Sequence, residues 1–233
     1  MISLIHPSRG RPEKSLETIR KWRDKCEEYI KVFVSVDEDD PKLEHYKDIY
    51  QITGCIVGKN KSAVEAINRA AQVAFNTDNV NVVIVVSDDT DCPKDWHLSL
   101  HQATHGKYDF ILKTQDGTQP WIITNPIMDR AYYNRFGYIY YPGYDHMFAD
   151  TELTCVADIT GRKITSDLKF IHNHYSVTKT APDEVSKRAD KTWDQGEKLF
   201  MERYKRNFDL PPDQIKGKIQ DNGMIRWLQR KNR

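Results

Sequence analysis

The run Val82-Val83-Ile84-Val85-Val86-Ser87-Asp88-Asp89-Thr90-Asp91 drives an apolar strand directly into three carboxylates within four residues. Like charges packed this closely repel unless a cation or hydrogen-bond donors compensate them. A divalent hard ion, Mn2+ or Mg2+, is suited to that task, because it prefers carboxylate oxygens and often shares its shell with substrate phosphates. Asp88 and Asp89 are therefore the first candidates for a metal and phosphate site. Asp91 and Asp95 read as turn and N-cap residues, with Pro93 opening a helix that holds Trp96.

Three further segments carry residue types that can do chemistry. In His172-Asn173-His174 the imidazoles lie two apart, so on an extended segment both face the same way. Alone, that pair suits either metal ligation or ordinary hydrogen bonding at a strand end. Near the N-terminus the strand Ile2 to His6 ends in Pro7-Ser8-Arg9-Gly10-Arg11-Pro12 before a helix. One hydroxyl, two guanidiniums and free amides at a helix start suit an anionic or nucleotide ligand. A second strand ends Val36-Asp37-Glu38-Asp39-Asp40, where Asp37 can accept hydrogen bonds from a base or ribose and the other acids are expected to be solvated or capping. In Ala149-Asp150-Thr151-Glu152-Leu153 the acids fit an N-cap and a first helical turn. The aromatic, Gly-Pro-containing stretch that leads into them has the composition of a binding wall.

These side chains need a scaffold that brings strand ends together. Strands are expected at Ile2 to His6, Val32 to Val36, Cys55 to Val57, Val82 to Val86 and Phe110 to Lys113, alternating with helices at Glu13 to Glu28, Lys42 to Thr53, Ser62 to Phe75 and Lys94 to His105. Val64, Ile67, Ala71 and Ala74/Phe75 form one apolar stripe. The alternation predicts an α/β domain with a mostly parallel sheet between helices, whose carboxyl edge is where ligands bind. A further helix is expected from Asp150 to Thr160, ended by Gly161, and two charged helices from Asp183 onward, split by Asp209-Leu210-Pro211-Pro212.

In this order the segments resemble the nucleotide-sugar glycosyltransferases of the GT-A fold, specifically the family 2 type, over about Ile2 to His174. Pro7-Ser8-Arg9-Gly10-Arg11 looks like that family's nucleotide loop, and Asp37 matches its base-binding acid. Gly58-Lys59-Asn60-Lys61-Ser62, leading into Ala66-Ile67-Asn68-Arg69, is similar to the segment under the nucleotide. Ser87-Asp88-Asp89 falls at the family's metal motif, with Trp96 as the aromatic that follows it. The resemblance implies a Rossmann-like GT-A domain over 1–176, its nucleotide-binding part at about 1–92 and its acceptor-binding part at about 93–176, with a C-terminal helical extension over 177–233. It implies Mn2+ or Mg2+ held by Asp89 and by His174 or His172, and a nucleotide diphosphate sugar, a UDP-sugar favoured, held by Pro7, Ser8, Arg9, Arg11, Asp37, Asn60, Lys61 and Asp88. It also implies a hexosyltransferase-like, inverting reaction in which Asp150 is the base and Glu152 the alternate base or an acceptor-binding group. Ala149 stands where the family carries a Glu.

Composition narrows the partners. The chain of 233 residues carries 35 Lys+Arg against 34 Asp+Glu, which gives no global attraction to nucleic acid or anionic membranes. Its apolar runs are strand-sized, and no signal-peptide pattern opens it, so a cytoplasmic location is expected. The four scattered cysteines form no CxxC pair and predict free thiols. Locally the charge is uneven: a metal facing the acids of Asp88 to Asp95, and a diphosphate between it and Arg9 and Arg11, would reconcile the excesses. The acceptor is open among a glycan, a protein, a lipid-linked group and a modified nucleic-acid base. Two competing functions are a nucleotidyltransferase of related fold, which would want a lysine-bearing glycine loop in place of Pro7 to Pro12, and a catalytically silent nucleotide- or carbohydrate-binding module that stacks ligands on the tyrosines between Tyr132 and Tyr144.

Overall fold

The computed structural model describes all residues except 51–54, 60–61, 174–178, 180, 182–183, 221–222 and 232–233. Nine strands are described: β1 (Ile2–Pro7), β2 (Lys31–Asp37), β3 (Cys55–Gly58), β4 (Val82–Val85), β5 (Thr90–Asp91), β6 (Ile111–Gln115), β7 (Ile127–Asp129), β8 (Lys163–Lys169) and β9 (Ile171–His172). Helices α1 (Pro12–Asp24), α2 (Leu43–Ile49), α3 (Ala63–Phe75), α4 (Trp96–Thr104), α5 (Arg130–Phe136) and α6 (Ala149–Ile159) alternate with them, and α7 (Glu184–Asp190), α8 (Trp193–Tyr204) and α9 (Gly223–Lys231) follow. This is the expected α/β fold, a mostly parallel sheet flanked by helices.

Seven strands make the central sheet in the order β3-β2-β1-β4-β7-β6-β8. β1 pairs in parallel with β2 and β4, and β2 with β3. β7 is antiparallel to both β4 and β6, so β6 regains the direction of β4, and β8 is parallel to β6. The carboxyl ends of β1, β2, β4, β6 and β8 therefore share one edge. Because α6 leads into the start of β8 at the opposite edge, its first turn also lies at the carboxyl edge.

Side-chain alternation divides the core into two layers. Ile5, Val83, Val85, Ile111 and Met128 face a layer completed by Val64, Ile67, Ala71 and Phe75 of α3, by α6, and by Phe200 and Leu228 of the C-terminal helices. Leu4, Val34, Ile84, Leu112 and Ile127 face the other, with Ile19 and Trp22 of α1 and Trp96 and Leu100 of α4. The expected α3 stripe is the buried one, and Ser62 caps that helix by accepting from Glu65 N at 3.1 Å.

Trp96 is fully buried, edge-on to Trp22 with ring centroids 5.2 Å apart, so it belongs to the core. Among the expected stacking tyrosines, Tyr132, Tyr133, Tyr140 and Tyr144 are likewise core residues. Asp95 sits at the N-cap of α4, but its side chain makes no capping hydrogen bond. Among the described residues the C-terminal region holds three α-helices where two were expected, and it joins the main core.

The contact between α8 and the chain before α6 is tight at Gly196, where an added Cβ would lie 2.4 Å from the Met147 carbonyl oxygen. Gly196→Ala is expected to cost about 1–3 kcal/mol, because backbone cannot yield as a side-chain tip can. A urea midpoint equal to that of the parent protein would contradict this close approach.

Candidate functional site

The loop after β1 is held by hydroxyls and acids. Pro7 ends β1 opposite Ser35. Ser8 N donates to the Ser35 carbonyl at 3.0 Å, and Ser8 Oγ lies 2.6 Å from Tyr46 Oη. Tyr46 Oη also accepts Arg11 N at 2.9 Å, and burial pushes this phenol up to about 12, so it stays protonated at neutral pH. Gly10, at φ +68°, gives its N–H to Asp40 at 2.7 Å. Few side chains adopt that φ, and the glycine lets the loop turn both guanidiniums toward the acids. Arg9 binds Asp37 and forks onto Asp39 at 2.6 and 3.1 Å. Burial raises the Asp37 carboxyl above its ordinary value, with Arg9 opposing the rise. Arg11 grips both oxygens of Asp88 at 3.0 and 2.9 Å. The local charge excesses seen in the sequence thus already compensate each other.

The strand end carrying Asp88 and Asp89 is pinned from α1. Thr18, Trp22 and Lys25 lie on one helical face and donate to the carbonyls of Asp88, Thr90 and Cys92, at 3.3, 3.2 and 2.6 Å. Helical spacing on one side meets alternate carbonyls of an extended segment on the other. β5 and β9 then pair antiparallel, with Thr90 opposite His172. That pairing brings His172 Nε2 to 3.2 Å from Asp89 Oδ2, while Ser87 Oγ donates to Asp89 Oδ1. Burial works against the Asp89 carboxylate, but the hydrogen bond and charge of His172, with Ser87, outweigh it and hold its pKa well below the usual range. For His172, burial pulls the imidazole down, whereas Asp89 first, then Asp116 and Asp150, raise it above 6.5.

Asp89 meets this imidazole directly, and the backbone N–H of His172 donates to the Asp116 carbonyl at 3.0 Å. Asp116, just past β6, was not singled out from the sequence. It is buried, its Oδ1 accepts the N–H groups of Thr118 and Gln119 at 2.7 and 2.6 Å, and its Oδ2 has no partner among the described residues. The signal that could have found it is an acid followed by Gly117 at the end of a strand whose direction matches β4. Asp150 stands in the first turn of α6, its Oδ1 accepting Thr151 N at 2.7 Å, and burial raises its pKa above 3.8.

Glu152, two residues on, is not brought to this edge. Arg203 Nε donates to both of its oxygens at 3.0 and 2.9 Å, and Tyr144 Oη donates to Oε2 at 2.8 Å. It is a buried ion pair with α8 on the far side of α6. Asn68 is occupied too, giving its amide N–H to the Tyr140 carbonyl at 2.7 Å and accepting from Ile139 and Tyr140 N, each at 3.0 Å. Asn60, Lys61 and His174 lie outside the described residues.

Asp89 and His172 are the donors that suit a divalent ion, both presented to one space and one of them kept ionised. Among the described residues no three His, Cys, Asp or Glu side chains group to hold a metal by themselves. An ion there would need oxygens from a ligand, as phosphate-bound divalent ions ordinarily have. Among the described residues, too, no helix is long and apolar enough to cross a membrane.

No family model and no curated protein matches the sequence. The fold does match solved structures. A mannosyltransferase from Pyrobaculum calidifontis, in complex with GDP-Man and Mn2+, superposes with a TM-score of 0.61 at 10% identity, covering 91% of this chain and 66% of that one. S. aureus TarS gives 0.56 at 12% identity over 91% of this chain and 44% of its own. A TarS structure in complex with UDP-GlcNAc gives 0.53 at 16% identity, over 72% of this chain and 57% of that one. The chain has the GT-A-like fold of these proteins and spans less than two thirds of their lengths.

Proposed function

We propose that this chain is a metal-dependent glycosyltransferase of the family 2 type, which moves a sugar from a nucleotide diphosphate sugar, a UDP-sugar favoured, to an acceptor hydroxyl. The observation that carries the reading is the contact of Asp89 with His172 at the sheet's carboxyl edge, beside the Arg11–Asp88 pair. Structural neighbours bound to GDP-Man with Mn2+ and to UDP-GlcNAc support the donor class. Asp89 and His172 would hold Mn2+ or Mg2+, which when bound offsets the charge of the departing diphosphate.

The chain's own residues supply the rest. Arg9 and Arg11 lie where a diphosphate can exchange with the carboxylates they now hold, a bidentate preference shared by both anions. Asp37 and Ser8 line the side on which a nucleoside would sit. Asp150 takes the proton of the acceptor hydroxyl as its oxygen bonds to the anomeric carbon and the bond from that carbon to the diphosphate oxygen breaks. Displacement from the face opposite the leaving group inverts the configuration.

A thermal-shift panel of UDP-, GDP-, CMP- and dTDP-sugars, each with and without Mn2+, tests the reading. A UDP-sugar with Mn2+ is expected to raise Tm most, and Asp89→Ala to remove the metal-dependent part. If no nucleotide stabilises the protein in the presence of metal, the proposal is wrong.

A further inference from the structure

Ser87 and Thr90 flank the two aspartates that follow β4, and a turn sets their hydroxyls side by side. Thr90 N donates to the Ser87 carbonyl at 3.2 Å, closing the segment Ser87-Asp88-Asp89-Thr90 on itself. Ser87 Oγ and Thr90 Oγ1 then lie 2.8 Å apart, and Ser87 Oγ reaches Asp89 Oδ1. On its other side Thr90 Oγ1 is 3.3 Å from Asn125 Oδ1. Asp88 takes no part in this group, because Arg11 holds its carboxylate.

Counting protons gives the chain of hydroxyls a direction. An ionised carboxylate only accepts, so the single hydroxyl proton of Ser87 goes to Asp89. Ser87 Oγ is left to accept, and the short contact is satisfied when the Thr90 hydroxyl donates to it. The longer approach of Thr90 to Asn125 is a weaker second branch of the same donor. Donors thus run in series from Thr90 to Ser87 to Asp89, and each bond polarises the next. The series fixes Asp89 Oδ1 and leaves Oδ2 for His172, 3.2 Å away.

Thr90 serves the histidine as well. It is 4% exposed, its carbonyl accepts Trp22 Nε1 at 3.2 Å, and its backbone stands opposite His172 in the pairing of β5 with β9. One residue therefore reaches Asp89 through its side chain and His172 through its strand. We propose that Thr90 is a positioning residue for the metal site, aligning Asp89 through the Ser87 hydroxyl while its strand sets the place of His172. The inference rests on the reading of Asp89 and His172 as holders of a divalent ion, and it assigns Thr90 no contact with the ion itself.

The test measures the Mn2+ affinity of the full chain, with excess UDP and separately with excess GDP, from the electron paramagnetic resonance signal of the free ion. Thr90→Val keeps the branched shape and removes the hydroxyl, and it is expected to weaken Mn2+ binding by about tenfold, the low end of what partners of metal ligands contribute. Thr90→Ser keeps the hydroxyl on a smaller side chain and should stay within about twofold of the parent protein. A residue that only fills space would give the opposite order, with serine the poorer replacement. Equal affinity in Thr90→Val and the parent, or serine as poor as valine, overturns the inference. Asp89→Ala separates that failure from a failure of the metal reading. If the parent and Asp89→Ala both leave Mn2+ free with either nucleotide, the metal assignment falls and this inference with it. If Asp89→Ala releases the ion while Thr90→Val retains it, the role of Thr90 alone falls.

Discussion

Asp150→Asn is expected to lower kcat for sugar transfer by about 10²–10⁴-fold, the usual worth of a positioned general base, and to leave nucleotide-sugar affinity unchanged. The substitution is nearly isosteric and keeps an oxygen for the Thr151 N–H that Asp150 now accepts at 2.7 Å. What it removes is the capacity to take a proton. The pH dependence gives a second reading of the same group. Burial holds the Asp150 carboxyl above 3.8, so as pH falls it takes up its proton, and ceases to be a base, earlier than a solvated aspartate does. The acid limb of kcat/KM should therefore sit above that value and vanish in the Asn variant along with most of the rate. Undiminished transfer would move the base to another carboxylate. Asp116, whose Oδ2 has no partner among the described residues, would then be the one to replace next.

Residues whose role is set by their own strand or helix were legible in the sequence. β1, β2 and β4 announce themselves as short β-branched runs, and a parallel sheet places their carboxyl ends together, which is why the sequence alone puts Asp37, Asp88 and Asp89 at one edge. The α3 stripe was legible for the same reason. β7 was not, because three residues after Asn125-Pro126 carry no period, and they become a strand only through Val82 opposite Asp129 and Ile111 opposite Met128. Without β7 the direction of β6 cannot be deduced, so Asp116 could not be placed at the site. Pairings across the chain were also hidden. Arg9 and Arg11 have the types of an anion loop, but only the folded chain shows Asp37, Asp39 and Asp88 taking their charge. Glu152 was misplaced because its partner lies 51 residues away on a helix outside the family resemblance.

That partner carries the largest stability effect. Arg203→Met is expected to destabilise the fold by about 3–5 kcal/mol, the cost of leaving one member of a buried ion pair alone. Both side chains are 4% exposed, so water cannot replace the lost partner. Burial already holds Glu152 above 4.5, with Arg203 and Tyr144 offsetting part of the rise, and deleting the guanidinium takes away the larger offset. The folded-state pKa of Glu152 should then climb further above its unfolded value. A carboxyl shifted in that direction favours the folded state while protonated and loses this advantage as pH rises through the shifted pKa. The deficit in Tm should accordingly be greater at pH 8 than at pH 5, the reverse of a variant that loses only packing. The double variant Arg203→Met/Glu152→Gln removes the stranded charge and should recover part of the loss and flatten the pH dependence. A single variant with equal deficits at both pH values would mean that the guanidinium acts through its stacking on Tyr141 and its hold on Asp209, and that Glu152 is neutral in the folded protein already.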